Sequence, residues 1–348
     1  IATRFTACLP TPHPSGRGVF FCPRPAIGAL MPPSGMTSYT QLLSITLPVF
    51  AIFGLGIFVR RAGWLPEAAE TGLLKLLMNV FYPALVLKAV LGNPAVRDPA
   101  TILSAPFVGF GTVAVGMAIG YYAGRALGLT AGHGLRTFAF AVGIGNYAYI
   151  ALPIVESLWG RESLGVLLVH NIGCELAIWS LGILMLAGLS LREGWRKLVN
   201  PISCTLVVGL VLNALRVPVP TVVSGTLDAL GSCLVPLGLL VCGATVENYF
   251  RDPQSLVHPR ITLGACLLRL GLLPLVLLAL AKWAPLPLEL RRVIVVQAAM
   301  PAAMFPLVIA RHYGGQPLVA AQIILATTIL GILAIPLWIA FGLHWTGV

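Results

Sequence analysis

Gly143-Ile144-Gly145-Asn146-Tyr147, running on to Pro153, and Met300-Pro301-Ala302-Ala303, running on to Pro306, are the two stretches whose reading decides the fold. Each lies within an apolar segment long enough to be a membrane helix, and each puts helix breakers near the middle of it. Glycine weakens a helix interior, and proline lacks a backbone donor and clashes with the carbonyl four residues before it. In hydrocarbon an unpaired N–H or C=O costs several kcal/mol, so non-helical backbone is tolerated there only inside protein or beside a water-filled cavity. A pair of such breaks in corresponding positions of two halves points to an internal binding site.

Composition places most of the chain in a membrane. Of its 348 residues 58% are hydrophobic and 9% are charged, against roughly 25% charged in an ordinary soluble domain. Allowing about 20 apolar residues per crossing, hydropathy gives about ten candidate helices, near 39–59, 69–91, 103–124, 135–158, 163–189, 199–215, 221–247, 258–281, 290–311 and 316–342. The expected fold class is an all-α integral membrane protein.

The net charge of +11 does not point to nucleic acid, because the basic residues are scattered through short loops rather than gathered on one polar face. The positive-inside rule explains them. Arg60, Arg61, Arg125, Arg136, Arg192, Arg196, Lys197, Arg251, Arg260 and Arg311 follow odd-numbered spans, whereas Arg97, Arg161, Arg216, Lys282, Arg291 and Arg292 follow even-numbered ones. The excess puts the odd loops in the cytoplasm and both termini outside.

Residues 1–35 read differently. They are rich in proline, carry Arg4, Arg17 and Arg24, have no acidic residue, and contain no apolar run that could form a signal-peptide core. The chain starts at Ile1, while Met36 stands just before the first span; an upstream or misassigned start leaving a disordered tail is the expectation, with an organelle transit peptide as the other reading. From Met36 the chain divides into a first set of five spans (36–189), a basic link (190–198) and a second set of five (199–348). An odd number of helices per set inverts the second copy, so span four pairs with span nine, where the two breaks fall.

Enzyme readings start low. The loops are too short for a catalytic domain, no Gly-Lys dipeptide exists for a Walker A loop, and neither a His-Glu-x-x-His helix nor a Gly-x-Ser-x-Gly elbow occurs. The seven cysteines contain no Cys-x-x-Cys pair and read as packing residues, so no metal or cofactor is expected.

Where a helix breaks, the half-helix that follows presents N–H groups and a positive dipole end, which suits a carboxylate. Asn146 offers an amide donor there, or else caps the broken backbone; Pro153 and Pro301 read as shapers of the break. Glu175, with His170 and Asn171 in span five, reads either as a proton-coupling group or as a structural pair. Lys75, Lys88 and Arg269 either attract an anion or snorkel to the interface. Gly116, Gly120 and Gly124 on span three make a small-residue face for close helix packing or a dimer contact.

In the order and spacing of these features the chain resembles the auxin efflux carrier family. The features are Asn79 to Pro83, Gly145-Asn146 with Pro153, Asn200-Pro201, Pro236-Leu237-Gly238 to Gly243, Ala298 to Pro306 with Ala310 to Tyr313, and Thr327-Thr328 with Pro336. The resemblance implies a secondary transporter of two inverted five-helix repeats, a scaffold and a transport domain, with broken helices four and nine crossing to bind a small organic anion. Auxin in plants, and malonate, malate or related carboxylates in bacteria, are the substrates it suggests. The short link after span five departs from plant carriers and favours a bacterial-type carrier in the cytoplasmic membrane. The expected substrate-binding set is then Gly145, Asn146, Tyr147, Pro153, Pro301, Ala302 and Ala303, with Glu175 and His170 as the coupling or charge-relay set. A sodium-coupled bile-acid-type symporter is the related alternative, disfavoured because span nine offers few oxygen ligands at its break. An intramembrane enzyme or sensor is the alternative of another class. The expected partners are the anion and membrane lipid, with a second copy in a homodimer as a further candidate and no nucleic acid.

Overall fold

A computed structural model describes residues 38–187, 199–250, 258–312 and 314–348; the N-terminal extension, the basic link at 190–198 and Tyr313 lie outside them. The described residues are helical apart from turns, loops and one isolated antiparallel bridge between Gly145 and Ala302. In chain order the helices are α1 (Tyr39–Arg61), α2 (Glu67–Val90), α3 (Pro99–Ala126), α4 (Leu135–Gly143), α5 (Ala151–Leu186), α6 (Pro201–Ala214), α7 (Thr221–Phe250), α8 (Pro259–Trp283), α9 (Leu288–Ala299), α10 (Phe305–His312) and α11 (Pro317–Thr346). Seven of these are long and apolar enough to cross a membrane, and α6 is shorter. The fourth and ninth expected spans each become two helices, α4 with the start of α5, and α9 with α10.

The helix ends follow local chemistry. Ser38 and Gln41 form a capping box before α1. Asp98 and Asn200 each accept two backbone N–H bonds ahead of a proline at the first helical position, opening α3 and α6 in the same way. Prolines shape the interiors too. α2 widens to π-helix over Leu77–Phe81 and α8 over Leu268–Leu272, each ending two residues before a proline, Pro83 and Pro274. A wider turn relieves the clash between the proline ring and the carbonyl behind it. Gly160, at φ 68° and ψ −152°, kinks α5 where the fourth expected span ends and the fifth begins. A side chain there would be strained, since that backbone region is open to glycine alone.

Polar contacts sort the loops onto two sides. On one side Arg60 reaches Ala244 O, Gln316 reaches Gly132 O, and Gln322 reaches His258 O, which joins the loops after α1, α3, α7 and α10. On the other, Arg161 reaches Leu91 O, Asn213 reaches Asn93 O, Ser163 meets Glu289, and Arg291 reaches Thr346 O. The first set holds the odd loops of the sequence reading and the second the even ones. Outward faces carry apolar side chains, among them Phe58, Phe107, Val222, Leu263 and Leu333, all exposed, as lipid contact requires.

Packing divides the helices into two groups. α1, α2, α6 and α7 pack chiefly on one another, and α3, α4, α5 and α8 to α11 form the second group. Within the second group the glycine face of α3 is filled by the chain itself. A Cβ on Gly116 would lie 2.8 Å from Gly143 O, and one on Gly120 would lie 3.0 Å from Ala139 Cα. The face therefore seats α4, and the dimer-contact reading of it does not hold.

The sorting of loops makes a labelling prediction. Single cysteines at Gly132 and Pro218 should react on opposite sides of the membrane, and under the positive-inside reading a membrane-impermeant maleimide added to intact cells should label Pro218→Cys only. Labelling of both from outside would break the alternation; labelling of Gly132→Cys alone would reverse the orientation.

Candidate functional site

The two broken segments meet. α4 stops at Gly143 and the chain turns extended at Ile144 (φ −104°, ψ 111°), while α9 stops at Ala299 and the chain extends at Met300 (φ −69°, ψ 137°). The extended pieces run antiparallel: Asn146 N donates to Pro301 O at 2.8 Å, and Ala303 N donates to Ile144 O at 2.9 Å. Each break thus satisfies part of the other's freed backbone, the condition for leaving the helix at membrane depth. Side chains complete the account. Tyr147 O accepts from Asn171 Nδ2 (3.0 Å) and Gln297 Nε2 (3.2 Å), and Ala302 N donates to Thr327 Oγ1 (3.1 Å). Pro301 brings no N–H that would need a partner.

Of the expected binding set, Gly145, Asn146, Tyr147, Pro301, Ala302 and Ala303 all lie in this crossover. Pro153 stands in the first turn of α5, where its missing N–H costs least. Asn146 divides its side chain between both readings of it: Oδ1 accepts from Ile150 N at 3.3 Å as a cap, and among the described residues Nδ2 has no hydrogen-bond partner. The start of α5 is better satisfied than the sequence suggests, because Leu152 N already donates to Ala148 O at 2.8 Å. The row of free N–H groups at the start of α5 is therefore shorter than expected.

A cation supplies what that row lacks. Arg269, in the π-helical turn of α8, is 4% exposed. Its Nε donates to Met300 O at 2.8 Å and its Nη2 to Gln297 O at 3.5 Å, at the carboxyl end of α9. Its guanidinium also lies against Gly145, so closely that a Cβ there would come within 2.0 Å of Nη2. A side chain at 145 would have to push the guanidinium out of this position. The snorkelling reading of Arg269 does not hold; its side chain turns inward.

A family profile described as membrane transport protein matches residues 42–193 and 188–339. The chain belongs to the auxin efflux carrier family. It is also 26% identical, over 84% of its length and 95% of the relative's, to an uncharacterized transporter of Methanothermobacter thermautotrophicus. The auxin efflux carrier profile divides near residue 190, where the sequence reading places the link between the five-span sets. The chain is thus a multi-pass membrane transporter.

Elsewhere in the chain, His170 and Glu175 are not brought together: no hydrogen bond joins them among the described residues. His170 is buried, with Nδ1 facing Asn171 Oδ1 (3.4 Å) and Cys174 Sγ (3.7 Å), and its Nε2 has no partner among the described residues. Glu175 is half-buried in a narrow crevice between α2, α5 and α6, beside Tyr82 and Ser203, and its Oε2 accepts from Asn200 Nδ2 at 3.5 Å. Asn171 lines that crevice and also holds Tyr147 O, which links crevice and crossover. Lys88 pairs with Glu156 at 3.2 Å. A cavity of about 310 Å³ lined by Lys88, Arg161 and Asp228 lies at the even-loop side, away from the crossover.

Gly145→Ala should displace the Arg269 guanidinium and lower stability by about 1–3 kcal/mol, the usual range for overpacking. Gly54→Ala, where a Cβ meets nothing within 4 Å, is the control and should melt like the parent. Thermal denaturation in detergent compares them; equal melting of all three would remove the guanidinium from its seat.

Proposed function

We propose that the chain is a secondary carrier for a small organic anion, working by alternating access. The observation that carries this reading is the pairing of two helix breaks around a buried arginine. Broken helices at membrane depth mark a substrate site, and a cation beside them sets its sign. Carboxylates are the class that fits: an auxin-like aromatic acid, or a mono- or dicarboxylate such as malonate or malate. The ten crossings form two inverted five-helix repeats, with α1, α2, α6 and α7 as scaffold and the group holding the crossover as the moving part. The carrier sits in the plasma membrane with both termini outside.

Sodium coupling fits poorly. The carbonyls of Ile144, Gly145, Tyr147, Met300 and Pro301 each already accept a hydrogen bond, Gln297 is turned as a donor, and Arg269 would repel a second cation. Glu175, at the crevice between the two groups, is the residue assigned to proton coupling, and Glu175→Gln should keep binding while losing its response to a proton gradient. His170 faces Asn171, which lines the same crevice as Glu175.

Purified protein screened against acetate, malonate, malate and indole-3-acetate should bind at least one of them. Asn146→Ala should weaken that binding by about one to two decades, the loss of one charge-assisted hydrogen bond at roughly 1.5–3 kcal/mol. Pro301→Ala should bind but transport poorly, since the break can then heal into helix. Binding unchanged in Asn146→Ala and abolished in Glu175→Ala would move the anion site away from the crossover.

A further inference from the structure

Arg269 is a permanent charge in a place where charges are expensive. Guanidinium does not deprotonate in proteins, and an ion taken from water into a low-dielectric interior costs several kcal/mol unless it is paired. Among the described residues no carboxylate lies within ion-pairing distance of Arg269. Its described partners are backbone carbonyls, Met300 O and Gln297 O, at the end of α9. That end is the negative pole of the α9 dipole, so the guanidinium sits where a cation is favoured.

Three details show that the seat is built for this group. The π-helical turn Leu268–Leu272, forced by Pro274, sets the register of Arg269. Gly145 on the opposite break leaves room for the guanidinium plane. Gln297 donates its side-chain amide to Tyr147 O, while its backbone carbonyl accepts from both Met300 N and Arg269, so one residue joins the two breaks and the guanidinium. Nη1 has no hydrogen-bond partner among the described residues.

We propose that Arg269 is a resident counter-ion of the crossover, a tethered cation that neutralises the carboxyl end of α9, occupies the seat a small coupling cation would need, and leaves the site short of one negative charge. The transported carboxylate supplies that charge. Arg269 is a positioning and selectivity residue: it lies against Gly145 and donates to the end of α9, so it acts on a bound anion through its field, while the Asn146 amide nitrogen, without a partner among the described residues, is the donor left for the ligand. This inference rests on the carrier reading above for its ligand, and on geometry alone for the seat.

The test uses purified full-length protein with Arg269→Ala, Arg269→Lys and Arg269→Gln. Millimolar guanidinium, against choline at equal ionic strength, should raise the melting temperature of Arg269→Ala and leave the parent unchanged, because the free ion refills the seat. Binding of malonate, malate and indole-3-acetate should fall about tenfold or more in Arg269→Gln, the scale of one buried charge interaction. Arg269→Lys should lose less binding than Arg269→Gln, since it keeps the charge while losing the fork that reaches two carbonyls. Discrimination between each acid and its amide should fall in the glutamine variant and persist in the lysine one. Equal binding by the lysine and glutamine variants would overturn the charge role even if Arg269→Ala fails to fold. If the parent binds none of the acids, the carrier reading fails; the guanidinium response then decides the seat separately, and an indifferent Arg269→Ala overturns it.

Discussion

Every feature of the central site follows from the requirement that backbone polar groups in hydrocarbon find partners inside the protein. A chain that leaves the helix at mid-depth frees donors and acceptors that lipid cannot take up. One broken helix cannot satisfy them alone. Two breaks laid antiparallel can, and the bonds from Asn146 to Pro301 and from Ala303 to Ile144 do so. The remaining groups draw in Asn171, Arg269, Gln297 and Thr327 from α5, α8, α9 and α11. The polar residues around the site are there first as backbone partners, and their chemistry toward a ligand comes on top of that duty.

The same accounting explains what the sequence disclosed. Gly143 to Pro153 and Met300 to Pro306 are legible because glycine and proline disfavour helix locally, whatever surrounds them. That the breaks meet is a tertiary fact; only the family resemblance carried it. Arg269 shows the limit most clearly. An arginine in an apolar run reads equally as a snorkelling surface residue or a buried charge, and the difference lies in a π-helical register set by Pro274 and in a glycine far away in sequence. The Gly116, Gly120 and Gly124 face had a similar ambiguity, since a smooth helix face does not declare whether α4 or a second copy covers it. The kink at Gly160 was visible only as a span boundary.

Asn146 shows how a capping role can leave half of a side chain free. An amide has an acceptor end and a donor end. The oxygen caps the turn leading into α5, and the nitrogen remains for another partner. Helix capping holds the side chain in a fixed orientation, so little rotamer entropy is left to lose when a ligand arrives.

The two helix groups are joined unevenly, and the unevenness bears on how a closed site could open. On the even-loop side Arg161 reaches Leu91 O at 2.6 Å, Asn93 reaches Arg161 O at 3.0 Å, and Lys88 pairs with Glu156 at 3.2 Å, each tying α5 to α2 or to the turn after it. On the odd-loop side the strong contacts stay within a group: Arg60 with Glu70 and Ala244 in one, Gln322 with His258 and Thr262 in the other. Contacts between groups at that end and toward it are looser, Arg311 over the Tyr249 ring at 4.9 Å and Asn200 with Glu175 at 3.5 Å. Among the described residues, the even-loop end therefore carries the closer polar ties between the groups, with Asn93 reaching Glu162 O as well. The Glu175 crevice lies between the groups, and Asn171, which lines it, is tied to the crossover through its bond to Tyr147 O.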